Sequence, residues 1–344
     1  MHKGKLKPLI IPIFIPNQGC PHRCIFCEQE KITSQRGEMI NGAHVKRVLD
    51  KAICSKDFDL RRRPEIAFYG GTFTRLPLHR MSELLEAAAP YVKQGVFRSI
   101  RVSTRPDALD EKRLELMKRC GVLTVELGVQ SMDDHILSLS KRGHTAKDTV
   151  DAVETLRGHE FNVGLQLMPG LPGDSKERCQ STITEIIKLN PHMVRLYPAI
   201  VIRGTELARL YREGRYQPLG LEEAVEICAE SCIRLEKQGI RVIRMGLMSS
   251  PSLLEKGQIV AGPWHTAFGF LVRSCIHHKN IHRDLPGRGC AFQIKIRAPK
   301  REIPLIIGHK NQGLQLITKK TGAKVIRVEP DDSITSGRVR VEKL

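Results

Sequence analysis

The chain has 344 residues, of which 56 are Lys or Arg and 37 are Asp or Glu, a formal net charge of +19. With 41% hydrophobic residues there is material for a sizeable core, mostly aliphatic because only 5% are aromatic, and the length suits two domains. The charged start from Met1 to Pro8 does not read as a signal peptide, and no stretch approaches the ~20 apolar residues of a membrane span. A cytoplasmic location without membrane attachment is therefore expected. There the ten cysteines are read as metal ligands or catalytic groups rather than disulfides. The positive excess suits nucleic acid, an acidic membrane face or anionic substrates, or simply a basic surface.

In chain order, residues 9–15 read as a strand and 45–54 as part of a helix. Strands are predicted at 65–69, 99–103, 124–129, 162–167 and 193–197. Helices are predicted between them at 78–92, 110–119, 133–139, 146–157 and 176–189. A helix at 221–238 and one further strand at 241–245 follow. Strands alternating with helices at this spacing imply βαβ units and a parallel sheet. The fold class is α/β: a partial (β/α)6 TIM-like barrel, with an open doubly wound sheet as the alternative. Residues 251–289 are rich in Gly, Pro and His and show no strand–helix rhythm. Beyond them, strands at 291–297, 323–328 and 337–341 and a helix at 312–320 suggest a small basic α+β module. The expected domains are therefore 1–250, the barrel, and 251–344, the module.

The chemistry concentrates in Cys20-Pro21-His22-Arg23-Cys24-Ile25-Phe26-Cys27, directly after the first strand. Three soft thiolates at this spacing select an iron–sulfur cluster or zinc. A structural zinc site normally needs four ligands, and His22 or the distant Cys54 would have to supply the fourth. Polar or glycine-rich groups also end the other strands: Gly70-Gly71-Thr72, Thr104-Arg105-Pro106-Asp107, Gln130-Ser131, Met168 to Gly173, and Tyr197-Pro198. In a parallel barrel all of these face one mouth. Gly70 and Gly71 would let backbone approach a ligand. Arg105 could pair with a carboxylate or form a rim salt bridge. Gln130 could bond a ribose. Glu126, on the same side of its strand as Gln130, needs a partner: Arg105, the ligand or a structural cation.

With Phe26 before its last cysteine, the cysteine run resembles the cluster motif of the radical S-adenosylmethionine superfamily. Gly70-Gly71-Thr72 resembles that superfamily's second motif. Within the superfamily, five blocks resemble the radical domain of the elongator catalytic subunit. They are residues 103–107, 125–131, 142–145 and 168–173, with Tyr197-Pro198 and 201–205. The resemblance spans about residues 8 to 245. It implies a 4Fe–4S cluster on Cys20, Cys24 and Cys27 whose open iron binds S-adenosylmethionine. One electron from a reductase, ferredoxin or flavodoxin would then cleave that cofactor to methionine and a 5′-deoxyadenosyl radical. Phe26 would pack near the adenine, Gly70, Gly71 and Thr72 would meet the methionine, and Thr104, Arg105 and Gln130 would lie near the ribose and carboxylate. The elongator family's acetyltransferase domain finds no room in residues 246–344, and its cysteine motif is more widely spaced than this one.

Residues 265–344 hold 16 Lys or Arg against 6 Asp or Glu, a net +10. Within them, residues 304–326 are faintly similar to a KH RNA-binding module, with Gly308-His309-Lys310-Asn311 in place of its Gly-x-x-Gly loop. The expected substrate is RNA, tRNA above all. The alternatives are a small molecule such as a tetrapyrrole, in keeping with a likeness to oxygen-independent coproporphyrinogen oxidases, or a non-catalytic zinc or iron–sulfur nucleic-acid-binding protein. Cys275, His277, His278, His282 and Cys290 form a second Cys/His cluster, read as metal ligands or as surface residues of a loop. Trp264-His265 could form a lid over the mouth or a packed loop.

Overall fold

The computed structural model describes residues 8–21, 23–34 and 40–344. The start of the chain before Pro8 and the candidate ligand His22 lie outside the described residues. Two compact units emerge, residues 1–220 with 235–264, and 221–234 with 265–344.

The first unit is built on seven parallel strands: β1 (Ile10–Ile15), β2 (Glu65–Gly70), β3 (Ser99–Thr104), β4 (Val122–Gln130), β5 (Asn162–Leu167), β6 (Met193–Leu196) and β8 (Arg241–Met245). Their order in the sheet is β1-β2-β3-β4-β5-β6-β8. Strand order never reverses, so the doubly wound alternative, which requires a reversal at its switch point, does not apply. The sheet is a partial TIM-like barrel with one strand more than six, the strand read at 241–245. A short antiparallel pair, β7 (Val201–Ile202) with β9 (Ile259–Ala261), lies outside this sheet.

Period-two alternation divides each strand between two faces. Ile66 and Phe68, Ile100 and Val102, Val125 and Leu127, and Val163 and Leu165 are buried on one face. These apolar rows are what the crossover helices cover, and they alternate in sequence with the residues of the opposite face. The other face is unusually polar. Arg101 donates to Glu65 through Nε at 2.7 Å and to Glu126 through Nη1 at 2.9 Å. Arg195 clasps the same Glu126 carboxylate through Nε and Nη2, and Tyr69 Oη donates to Glu126 Oε1 at 2.8 Å. Closed TIM barrels fill this space with layers of branched aliphatic side chains. Here an ionic lattice takes their place. Glu126 is paired structurally, with Arg101 and Arg195, and not with Arg105.

Local signals place the loops that matter. Thr145 caps the helix Ala146–Gly158 in a reciprocal box with Asp148. That cap fixes the chain immediately after Arg142-Gly143-His144. Ser175 and Thr205 likewise cap the helices Lys176–Leu189 and Glu206–Arg212 after the fifth and sixth strands. Among the described residues no helix is long and apolar enough to cross a membrane.

The second unit holds a three-stranded sheet. Its central strand β10 (Gln293–Ala298) pairs in parallel with β11 (Lys324–Pro330) and antiparallel with β12 (Arg340–Lys343). The helices Ile303–Ile307 and Gln312–Thr321 make the crossover from β10 to β11, joined by the turn His309–Asn311, in which Lys310 and Asn311 take left-handed conformations. The core is Ile281, Ile294, Ile296, Ala298, Ile306, Ile317 and Ala323. The region 251–289, read as lacking regular elements, contains the helix Phe268–Ile281. Its buried positions include Ser274 and His277, so polar residues on the inward face hide the helical period.

Replacing Glu126 by Ala leaves Arg101 and Arg195 buried without their shared carboxylate, and should cost about 3–5 kcal/mol in urea unfolding. Burial alone would raise the Glu126 carboxyl. Arg195, Arg101 and Tyr69 outweigh it and hold the group below its ordinary 4.5. Its stabilisation should therefore be complete above that value and be lost as pH falls through the depressed one. The Ala variant should lack this acid-limb loss.

Candidate active site

A cavity of about 400 Å³ opens at the C-terminal ends of the barrel strands and runs into the polar interior. The ten residues expected to hold the cluster or its cofactor line it: Cys20, Cys24, Phe26, Cys27, Gly70, Gly71, Thr72, Thr104, Arg105 and Gln130. Tyr69, Gln166, Arg195 and Glu126 line its inner part. Among its described lining residues five are arginines, 23, 105, 142, 195 and 244, and Glu126 is the one carboxylate.

The cysteine loop is pinned at three places. Ile25 is buried against Val201, Leu207 and Tyr216, and its carbonyl accepts from Leu207 N at 2.8 Å. Cys20 Sγ lies 3.4 Å from Thr72 Oγ1. Arg142 donates through Nη1 to Cys24 Sγ at 2.9 Å and through Nη2 to Gly128 O at 2.5 Å. Burial, and then the neighbouring Cys24, push the Cys27 thiol up to about 12.

Gly71 and Gly19 allow a close approach of backbone to backbone. Gly71 N donates to Ile15 O and Thr72 N to Gln18 O, both at 2.9 Å. A Cβ on Gly71 would lie 2.0 Å from Gln18 O, and one on Gly19, whose φ is +72°, would lie 2.2 Å from Thr72 O. The close approach in this structure is of the chain to itself: the end of β2 is laced to the loop that leads into Cys20.

The polar strand ends are also partnered within the protein. Arg105 makes a bidentate pair with Asp107, at 2.8 Å from Nε and 3.0 Å from Nη2. Of the two roles expected for Arg105, this is the salt bridge. Thr104 Oγ1 hydrogen-bonds Thr74 Oγ1. Gln130 takes a φ of +71° where the β4–β5 register shifts, and its Oε1 accepts from Gln166 Nε2 at 3.3 Å. Phe26 packs against the buried group Ile136, Leu171 and Ala199, as does Met168. His144 Nε2 lies 3.2 Å from Val129 O, and burial with the cationic Arg142 and Arg105 pushes its imidazole down to about 4, so the ring stays neutral.

Arg142 is a contact that sequence reasoning did not assign. Its signal was present, since Arg142-Gly143-His144-Thr145 was among the blocks carrying the resemblance. Arg244, on the last barrel strand, and Tyr197 line the cavity as well.

Among the described residues no three His, Cys, Asp or Glu side chains gather closely enough to hold one metal ion. Cys54 caps the helix Gly42–Ile53 and does not line the cavity. Three thiols that share one cavity are a donor set of the kind that holds an iron–sulfur cluster.

The second Cys/His set is dispersed. Cys275 Sγ donates to Glu226 at 3.3 Å, His278 Nε2 lies 3.1 Å from Ile306 O, and His277 is buried 3.7 Å from Glu302. These three sit on a helix, not in a surface loop, while His282 and Cys290 are exposed. Trp264 packs against the buried group Ile200, Ile202 and Leu253 and does not line the cavity.

Comparison with known proteins agrees with this geometry. Residues 129 in length are 42% identical to the tRNA uridine(34) acetyltransferase of Methanocaldococcus jannaschii, covering 37% of this chain and 24% of that protein. The chain thus spans about a quarter of the length of that relative. The heme chaperone HemW of Bacillus subtilis is 26% identical over 255 residues, 73% of this chain and 66% of its own length. The solved structure of the archaeal Methanocaldococcus infernus Elp3, with its N-terminus deleted, superposes with a TM-score of 0.60 at 24% identity. It covers 80% of this chain and 63% of that one, and shows the shared fold. The superfamily's members use a 4Fe–4S cluster and S-adenosylmethionine. The profile of the Radical SAM C-terminal domain matches residues 191–277. The profile of the Radical SAM superfamily matches residues 14–186, half of the chain, and the chain is a member of that superfamily and an enzyme of its type.

Proposed function

We propose that this radical S-adenosylmethionine enzyme modifies RNA, with tRNA as the substrate class, and that Cys20, Cys24 and Cys27 hold its cluster. The observation that carries the reading is the single cavity shared by three thiols, the ends of six strands and five arginines. When bound and reduced, the cluster supplies the electron that cleaves S-adenosylmethionine to methionine and a 5′-deoxyadenosyl radical. A reductase, ferredoxin or flavodoxin is the expected source of that electron.

The chain's own residues do the rest. Arg142 steadies Cys24 and offsets the negative charge of a thiolate-bound centre. Thr72, laced to the loop before Cys20, presents backbone groups of the Gly70–Thr72 turn to the methionine end of the cofactor. Arg105, oriented by Asp107, and Gln130, oriented by Gln166, face the ribose and carboxylate. Phe26, packed on Leu171 and Ala199, offers an apolar wall for the adenine. The surplus of guanidinium over carboxylate favours anionic groups in the cavity.

RNA is favoured by the tRNA-modifying activity named for relatives that match part of this chain and by the net +10 of residues 265–344. The longer match to a heme chaperone favours a second reading, a tetrapyrrole ligand.

Anaerobically reconstituted protein, reduced with dithionite, should release 5′-deoxyadenosine from S-adenosylmethionine. Cys24→Ala should lose both the cluster's iron and this product; a variant that keeps both would remove Cys24 from the ligand set. Gly71→Ala should push the 15–18 loop aside, cost about 1–3 kcal/mol by overpacking, and lower iron and sulfide content with it. Unfractionated tRNA should bind the whole chain and weaken steeply between about 50 and 200 mM salt. Salt-insensitive binding of hemin without tRNA binding would favour the tetrapyrrole.

A further inference from the structure

The second unit carries an aromatic side chain that its core does not use. Phe292 is 90% exposed, whereas every other Phe, Tyr and Trp among the described residues is buried or half-buried. It stands one residue before β10, and its carbonyl accepts from Lys324 N at 2.9 Å, which sets the first residue of β11 beside it.

Three further contacts join the loop before Phe292 to the C-terminal end of the helix Gln312–Thr321. Gly289 N donates to Thr321 O at 3.1 Å, Lys320 Nζ donates to His282 O at 2.6 Å, and Arg288 Cγ lies against Gly322. These contacts gather Arg288, Phe292, Lys320 and Lys324 around the entry to β10 and β11.

Nothing acidic answers these cations. From residue 285 to 328 there are ten Lys or Arg and one acid, Glu302. Glu302 is buried and accepts from Ser336 Oγ and Gly337 N. Elsewhere in the same sheet the cations are matched: Lys295 and Arg297 pair with Glu329 and Glu342. Arg288 and Lys324 are exposed and make no ion pair among the described residues.

An exposed ring among unmatched cations adds nothing to folding, but it has the composition of a single-strand grip. Every base offers a π-face to an aromatic side chain, and every phosphate offers a charge to a neighbouring cation. We propose that Phe292 stacks on an unpaired base of RNA while Arg288, Lys320 and Lys324 take the flanking phosphates. This deepens the RNA reading of the enzyme and rests on it.

The test is fluorescence anisotropy of the full chain with a labelled, unstructured oligouridylate about 12 nucleotides long, within the usual span of such sites, and with unfractionated tRNA. Phe292→Ala should weaken oligouridylate binding roughly ten-fold and leave the salt dependence unchanged; Phe292→Trp should restore it. The double variant Arg288→Glu, Lys324→Glu should flatten the slope of log affinity against log salt by about 1.4, two single-strand phosphates' worth. In both, 5′-deoxyadenosine formation without RNA should stay at the wild-type level, which reports an intact fold. If the wild type binds oligouridylate and tRNA but these variants bind equally well, the grip is overturned and the RNA reading stands. If the wild type binds neither RNA, both fall.

Discussion

A carboxylate held between two guanidiniums inside the parallel sheet is the constraint on which the first unit depends. Buried ions are costly to desolvate, and a packed apolar layer would often be as stable. An apolar layer, however, would fill the barrel, as it does in closed TIM barrels. Glu65 and Glu126 with Arg101, Arg195 and Tyr69 span β2, β3, β4 and β6, so one charge-neutral lattice ties four strands together. Because Tyr69, Glu126 and Arg195 also line the cavity, the lattice forms its floor, and hollowness is obtained without leaving charges unpaired.

Much of this was legible from the sequence because two periodicities coincide with the chemistry. Alternating strand and helix signals located the barrel strands, and the strand ends named the groups that line the mouth. The charged interior was harder to read. Glu65, Arg101, Glu126 and Arg195 lie on four different strands, and only parallel register brings them together. Local sequence carries no signal for such pairing, and Glu126 could be assigned a need but not a partner. The helix Phe268–Ile281 was missed for a related reason. Its inward face includes His277 and Ser274, whose partners, Glu302 and the Leu305 carbonyl, come from distant segments.

Gly70-Gly71-Thr72 has a role within the chain that the sequence did not suggest. Two glycines at a strand end suggest room for a ligand. The atoms that crowd the missing Cβ of Gly71 belong to Ile15 and Gln18. The glycine therefore lets β2 and the loop after β1 share backbone hydrogen bonds. That lacing places Thr72 against Cys20, so the second motif positions the first.

Charge around the cysteines completes the same logic. Three thiolates side by side repel one another, and with burial this keeps the Cys27 thiol protonated in the absence of a cation. A metal centre reverses that preference, since a coordinating thiol is deprotonated outright. Arg142 bridges the two situations, because its guanidinium spans Cys24 Sγ and the Gly128 carbonyl. It can donate to sulfur whether thiol or thiolate, and its second bond anchors it to the end of β4. The cysteine loop is thus tied to the barrel by an interaction that strengthens as the sulfur gains negative charge.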